Sequence, residues 1–583
     1  MRWFIDSWFS NRLIAVVLAG ILGAPSGWGQ QAAPAAAIGD GDALATLVPP
    51  VRPFRLIPRV GVLAQAEITL QQAIEMALKS NKDIQSSRID REESDYTLLG
   101  ARGVYDPVAG ATGSFQKQVN PVASSLGGST TGAVLNRNWL ADPTLTGNTP
   151  WYGGSYRVDF SNQRTYTNNS FATLNPQYPS SLTFQYTQPL WRGLRYDGNR
   201  RSIDVAKKNQ SLTNEQFRQR VMQVVQLTEQ AYWELVYSYN NLQVQLEAVD
   251  IARQQDESNR RQQQQGLLAP IDVVAAQTQL ANFGLNAYSG QASLTRAENN
   301  LKTLILAERS SALWASALVP VTPTDAAPPV TPLADAVTDA LANRAETATV
   351  KISADINQAD QKLNRELIKP QVDLVASYSR AGLAGPQIIQ AGGNPFTSSL
   401  GPLIDRVNVL SGALGPVNLG GGGGSTTPAL LIGDYGQSLS NLFGGNFPTT
   451  QVQLRIALPI RNRTAEANLS RSVAEGRRVK NQREQIEQTI EADVRSTMQN
   501  MVSAEARLEA SRIQRQSAEE QYQSEQRQFR AGTSTLFLVQ QRQNTMIASR
   551  SQERRAEADL AEAVSSFELA TGSNLRQHNI SLQ

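Results

Sequence analysis

Two stretches decide the fold: Leu182-Thr183-Phe184-Gln185-Tyr186-Thr187-Gln188-Pro189-Leu190 and Gln451-Val452-Gln453-Leu454-Arg455-Ile456-Ala457-Leu458-Pro459-Ile460. In each, apolar and polar residues alternate, the period of a strand with two different faces. Each ends at a Pro and gives way to a Pro-free helical stretch, from about Asn199 to Gln265 and from about Ala465 to Ala531. At 1.5 Å per residue, roughly 65 residues span about 100 Å. Both stop at a glycine, Gly266 and Gly532, and a shorter helix follows, opened in the first case by Pro270.

Upstream the same order appears twice. Ile68 to Gly103 reads as one opening helix, with apolar positions at Leu70, Ala73/Ile74 and Ala77/Leu78. Thr69 with Gln72 three residues later forms a capping-box pattern. Pro107 ends this helix, and Pro370 ends its counterpart, which begins at Leu333. After each Pro comes a strand, a polar Gly/Ser/Asn-rich loop, and one of the strands quoted above. Val372, Leu374, Ala376 and Tyr378 share a face opposite Asp373 and Ser377, with Val375 as an exception. Tyr156, Val158 and Phe160 alternate too and would lengthen their hairpin; the strand after Pro107 is poorly patterned. The opening and closing helices of each copy together match the long helix between them, so they fit end to end, antiparallel to it.

Composition narrows the function. The 583 residues include 54 Lys+Arg, 51 Asp+Glu, one His and no Cys, for a net charge of +3. Disulfides, thiol chemistry and Cys-linked lipid are excluded. The lone His578, near the C-terminus, excludes multi-His metal sites and a Ser–His–Asp triad, so no metal, cofactor or catalytic residue is expected. The charge is too small to argue for nucleic acid. Mean hydropathy of -0.34 is too polar for a bundle of spanning helices.

Residues 1–29 read as a secretory signal: Arg2 and Arg12, an apolar run from Leu13 to Leu22, then small residues, with cleavage near Gly29 or among Ala32–Ala37. An Ala/Pro-rich linker is expected over 30–66, a first repeat over 67–320, a second over 321–575 and a tail over 576–583. An exported chain that crosses a membrane without apolar helices must use a closed barrel. Four strands cannot close around a lumen, so a spanning barrel is shared between copies, and a trimer gives twelve strands.

These features resemble the TolC family of outer-membrane efflux and type I secretion channels. The matching elements are the paired opening helices at Leu70 and Leu333, the Pro107 and Pro370 breaks, the strand ends at Pro189 and Pro459, the turns Gly266 to Val273 and Gly532 to Thr535, and the closing Ala570-Thr571-Gly572. The resemblance covers residues 67–575. It implies a homotrimer in the outer membrane: a mixed fold in which four strands per subunit form a 12-stranded β-barrel, continued into the periplasm by a long α-helical barrel. Glu308–Val330 and the tail would girdle the tunnel, and the loops near 118–180 and 381–449, with the run Gly420–Gly424, would face outside. The partners implied are a periplasmic adaptor, an inner-membrane pump and outer-membrane lipid.

By the same resemblance Gly266, Leu267, Gly532 and Thr533 are the adaptor-docking turns, although simple helix caps would read identically. The family's two gate aspartates fall on Leu538 and Gln541, and the tyrosine and arginine of its linking network on Phe529 and Ser534. Asp272 alone keeps its acidic character, either in the gate with Arg530 or Arg542 as a new partner or as a plain charge at a helix N-terminus, so the expected constriction is uncharged and partly apolar. A trimeric coiled-coil surface fibre or adhesin is the alternative, but it calls for no strand-bearing insert.

Overall fold

The computed structural model describes residues 54–581 apart from 124–127, 130, 324–327, 389–400 and 412–426. The expected signal segment, most of the linker and Gly420–Gly424 lie outside these.

Strand β1 (Ala64–Ile68) leads into α1 (Leu70–Ser80). The capping box is present: Gln72 N–H donates to Thr69 Oγ1 at 3.2 Å, and Thr69 N–H to Gln72 Oε1 at 3.0 Å. Ala73, Ile74 and Ala77 are buried. The single opening helix expected from the sequence is in fact two. Asn81 is extended and caps the next helix, α2 (Lys82–Arg102), by accepting from the N–H groups of Asp83 and Ile84. Its amide also donates to Leu304 O at 3.1 Å, so the break is held from outside the helix.

Past Pro107 the count of four strands is corrected to six in the main sheet. They are β2 (Val108–Pro121), β3 (Ala133–Asn148), β4 (Ser155–Thr167), β5 (Ser180–Pro189), β7 (Gln371–Gly382) and β8 (Phe447–Ala457), in the spatial order β2-β3-β4-β5-β7-β8, every pair antiparallel. Much of the expected loop 118–180 is therefore sheet. The β3–β4 hairpin turns at Thr149–Gly154, where Thr149 N–H donates to Gly154 O at 2.8 Å. Asn148 Nδ2 reaches Val104 O and Gln188 Nε2 reaches Tyr152 O, tying that turn to both ends of the original pair.

The register sorts the side chains. Phe184 lies opposite Tyr378 and Val158, and Leu374 opposite Leu454, all on one face. Gln185 lies opposite Ser377 and Arg157, and Thr183 opposite Ser379, on the other. The two outermost strands, β2 and β8, each leave one edge unpaired.

The sheet feeds two long helices, α3 (Gly198–Gln264, 67 residues) and α9 (Arg463–Arg530, 68 residues). Each turns back into a helix of 36 residues, α4 (Pro270–Ile305) and α10 (Leu536–Thr571). Between the halves lie β6 (Ser316–Pro320), parallel to β1, then α5 (Leu333–Asn343) and α6 (Ala345–Ile368). Two short helices, α7 (Gly401–Ser411) and α8 (Tyr435–Phe443), precede β8. As the lengths suggest, α2 and α4 pack along α3, while α6 and α10 pack along α9.

Buried positions on the lower part of α9 recur at short helical steps: Met501, Ala504, Leu508, Ser511, Ala518 and Tyr522. One narrow stripe faces its partners, and the rest of α9 stays open. No described helix is long and apolar enough to cross a membrane.

Residues 54–63, expected as linker, run as a strap along α4. Phe54 lies against the Tyr288 ring at 5.1 Å, Gln291 donates to Ile57 O at 2.6 Å, and Arg59 pairs with Glu298. The Tyr232 hydroxyl, on a fully buried side chain, joins Ile68 O to Thr322 Oγ1 where the strap enters the sheet of β1 and β6.

Candidate functional site

The two helix reversals are built alike. At the end of α3, Leu267 N–H donates to Gln262 O and Gly266 N–H to Gln263 O, both at 2.9 Å. At the end of α9, Thr533 N–H donates to Gln528 O and Gly532 N–H to Phe529 O, both at 3.0 Å. These paired bonds make a Schellman cap, which places one residue in the left-handed region. Gly266 (φ 73°) and Gly532 (φ 76°) fill that place. A methyl group at either would touch nothing within 4 Å, so the cost of Gly→Ala is conformational alone. We expect Gly266→Ala or Gly532→Ala to destabilise its cap by about 1–2 kcal/mol, read as faster hydrogen exchange of the amides at 266–267 or 532–533.

A Schellman cap usually packs an apolar residue back onto its own helix. Here the receiving position is Gln262, and Leu267 stays 73% exposed. Ile271 (70%) and Phe537 (71%) are equally bare, with Val274 and Leu538 beside them in sequence. Apolar groups exposed at both reversals of a polar helical body mark a contact surface.

Below the caps the four helices share a core of Val249 and Ala252 on α3, Leu280 and Phe283 on α4, Tyr522 on α9, and Val539 and Met546 on α10. Burial pushes the Tyr522 hydroxyl up, with Arg530 opposing. One guanidinium ties three of these helices: Arg550 on α10 meets Glu247 on α3 at 2.8 Å and Glu519 on α9 at 2.7 Å. Burial alone would lower Arg550, but its hydrogen bonds to the two carboxylates outweigh that and hold it above its ordinary value.

The remaining sequence candidates fall around these caps. Phe529 packs against the shared core, whereas Arg530 is exposed. Leu538 and Gln541 lie one turn apart on α10, both exposed. Asp272 sits in the first turn of α4, but no ion pair joins it to Arg530 or Arg542 among the described residues; Arg542 donates to Gln521 Oε1 at 2.9 Å instead. Ser534 donates to Glu525, a residue that nothing in the sequence set apart from the other acids of α9.

The family model for outer membrane efflux proteins matches residues 155–305 and 418–573, just over half of the chain. The chain belongs to this family. No curated protein matches it in sequence. Among solved structures, the CmeC outer membrane channel of Campylobacter jejuni aligns with a TM-score of 0.59 at 12% identity, covering 88% of this chain and 90% of that one. CusC, described as forming a transmembrane channel, aligns with a TM-score of 0.59 at 14% identity over 89% and 99%. The MtrE outer membrane channel of Neisseria gonorrhoeae aligns with a TM-score of 0.54 at 14% identity over 87% and 89%. At such identities the likeness is one of fold, and this outer membrane efflux protein shares it along almost its full described length.

Proposed function

We propose that the chain is one third of an outer-membrane exit duct, a passive channel that a periplasmic adaptor and an inner-membrane pump open. The observation that carries this is the sheet. One face is apolar, the other polar, and both edge strands are unpaired. Lipid tolerates no unpaired backbone, so the edges must close on one another. β2 leaves the helices and β8 returns to them, so β8 of one copy meets β2 of the next antiparallel. Three copies close an eighteen-stranded barrel in place of the twelve expected. Export by the segment 1–29 delivers the chain to the outer membrane, with the helices in the periplasm.

The polar face lines the lumen, and the open side of α9 receives the neighbouring copy. The bare Leu267, Ile271 and Phe537 at the reversals receive the adaptor, with Gly266, Leu267, Gly532 and Thr533 as the docking turns. A coiled-coil surface fibre has no use for a two-faced sheet. The same duct serves a tripartite efflux pump or a type I secretion system.

Reconstitution of the folded trimer in planar bilayers tests the reading directly: discrete conductance steps are expected, and their absence sinks it. The gate is closed by Phe529, Ser534, Leu538 and Gln541 without an acidic ring, with Asp272 and Arg530 at its edge. Divalent cations should therefore block the unmodified channel weakly. Leu538→Asp with Gln541→Asp should deepen the block at least tenfold; strong block before substitution overturns the uncharged gate.

A further inference from the structure

The lone histidine occupies an ordered position. After α10, Gly572 turns the chain back in a left-handed cap, with Ser573 N–H donating to Glu568 O at 2.9 Å. A short helix, α11 (Asn574–Gln577), then lies against α3: Asn574, fully buried, donates to Met222 O at 2.9 Å, and Leu575 enters the core beside Phe217 and Val221. This anchoring presents His578 to the middle of α3, about 35 residues or roughly 50 Å from the gate end of that helix.

There it meets two carboxylates. Glu229 on α3 is 3% exposed, and Ser565 on α10 donates to one of its oxygens. Glu568, one helical turn beyond Ser565, brings a second carboxylate. His578 Nε2 contacts the other oxygen of Glu229, yet this buried nitrogen forms no hydrogen bond of normal geometry. One oxygen from each carboxylate and one ring nitrogen all lie within 4.8 Å of one another. Among the described residues neither Glu229 nor Glu568 pairs with a lysine or arginine, and no side-chain hydrogen-bond donor reaches the Glu568 carboxylate; Thr571 and Ser573 donate to its main-chain carbonyl instead. Two adjoining carboxylates, one buried and one half-buried, with the His578 imidazole as their only basic side-chain neighbour among the described residues, are costly.

We propose that Glu229, Glu568 and His578 form a transition-metal site, suited to Zn2+, that clamps the C-terminal segment onto α3 and α10. The donor set revises the sequence-based expectation of no metal. One imidazole with two carboxylates is a nitrogen–oxygen set that zinc accepts at bonds of about 2.0–2.2 Å, and three donor atoms within 4.8 Å of one another are close enough to share one ion. Water completes the coordination. The imidazole favours zinc over magnesium or calcium, which prefer oxygen alone. Ser565 acts from behind, fixing the orientation of Glu229.

The test uses the full mature chain, made without a histidine tag, stripped with EDTA and titrated with Zn2+ against a chromophoric chelator. One zinc per chain is expected, with Mg2+ and Ca2+ failing to compete. Glu568→Gln and His578→Gln should each weaken binding at least tenfold. Because the chain holds a single histidine, its imidazole resonance reports on this site alone and must shift on saturation, whether or not any variant folds. Glu568→Gln should also raise the melting temperature of the metal-free chain while abolishing the increment that zinc adds. No stoichiometric zinc, or zinc that leaves the imidazole resonance unmoved, overturns the proposal and leaves a carboxylate–imidazole contact only.

Discussion

Lys302→Met is expected to destabilise the folded chain by about 3–5 kcal/mol, the cost of breaking a buried ion pair from one side. Lys302 and Glu298 are each 1% exposed, one turn apart on α4. The ammonium spends its three protons on Glu298 Oε1 at 2.6 Å, Ser316 O at 2.6 Å and Trp314 O at 3.2 Å. Methionine fills the space but leaves two carbonyls without a donor, and Glu298 keeps only Arg59 from the strap. The loss should therefore fall where α4, β6 and the strap meet. Adding Glu298→Gln to Lys302→Met should cost less than the sum of the two single changes, since the pair shares one interaction. Thermal unfolding of the single and double variants checks this. A drop below about 1 kcal/mol, the level of an exposed pair, would show that water already reaches the group.

Leu454→Arg and Gln453→Arg, neighbours on β8, should behave oppositely. Leu454 lies across from Leu374 on the apolar face, and Gln453 across from Val375 on the polar one. In the proposed barrel the first points into lipid, where an arginine near the midplane costs about 2–4 kcal/mol in each subunit. The second points into the aqueous lumen. Leu454→Arg should deplete the folded, membrane-inserted trimer, while Gln453→Arg should leave its yield unchanged and alter ion selectivity. Equal tolerance of both would contradict the assignment of faces.

How far the sequence could be read follows from where each element draws its stability. The long helices were legible because nothing in 67 or 68 residues breaks them and a glycine ends each. Thr69 and Gln72 were legible because a capping box is local. The break at Asn81 was not, since asparagine stops a helix only when its cap bonds and an outside carbonyl hold it. Strands β5, β7 and β8 show clear alternation. β3 runs Asn136, Asn138, Asp142 and Pro143 through its middle, residues that read as turn, and it is sustained by main-chain pairing on both sides. Phe115 stacking near Trp139, centroids 4.5 Å apart, is a cross-strand contact that no single-strand pattern reveals. At the two helix reversals the caps could be placed by their glycines, whereas the Ser534–Glu525 contact spans a reversal, and the meeting of Glu229 with Glu568 joins α3 of the first half to α10 of the second.

The extra β3–β4 hairpin has a consequence for flow. It enlarges the sheet but brings no helix with it: Thr149–Gly154 returns the chain directly into β4. Barrel diameter grows roughly linearly with strand number, so in the proposed trimer eighteen strands instead of twelve would widen the mouth about 1.5-fold and roughly double its cross-section. The helical conduit below gains nothing. Treated as resistors in series, the wide upper segment of the proposed duct would contribute little, and nearly all of the electrical and diffusive resistance would fall along the helices and at the proposed closed tip. In the proposed duct, what leaves and how fast would then be decided at the periplasmic end, while the outer mouth would act as a funnel that releases whatever has already passed.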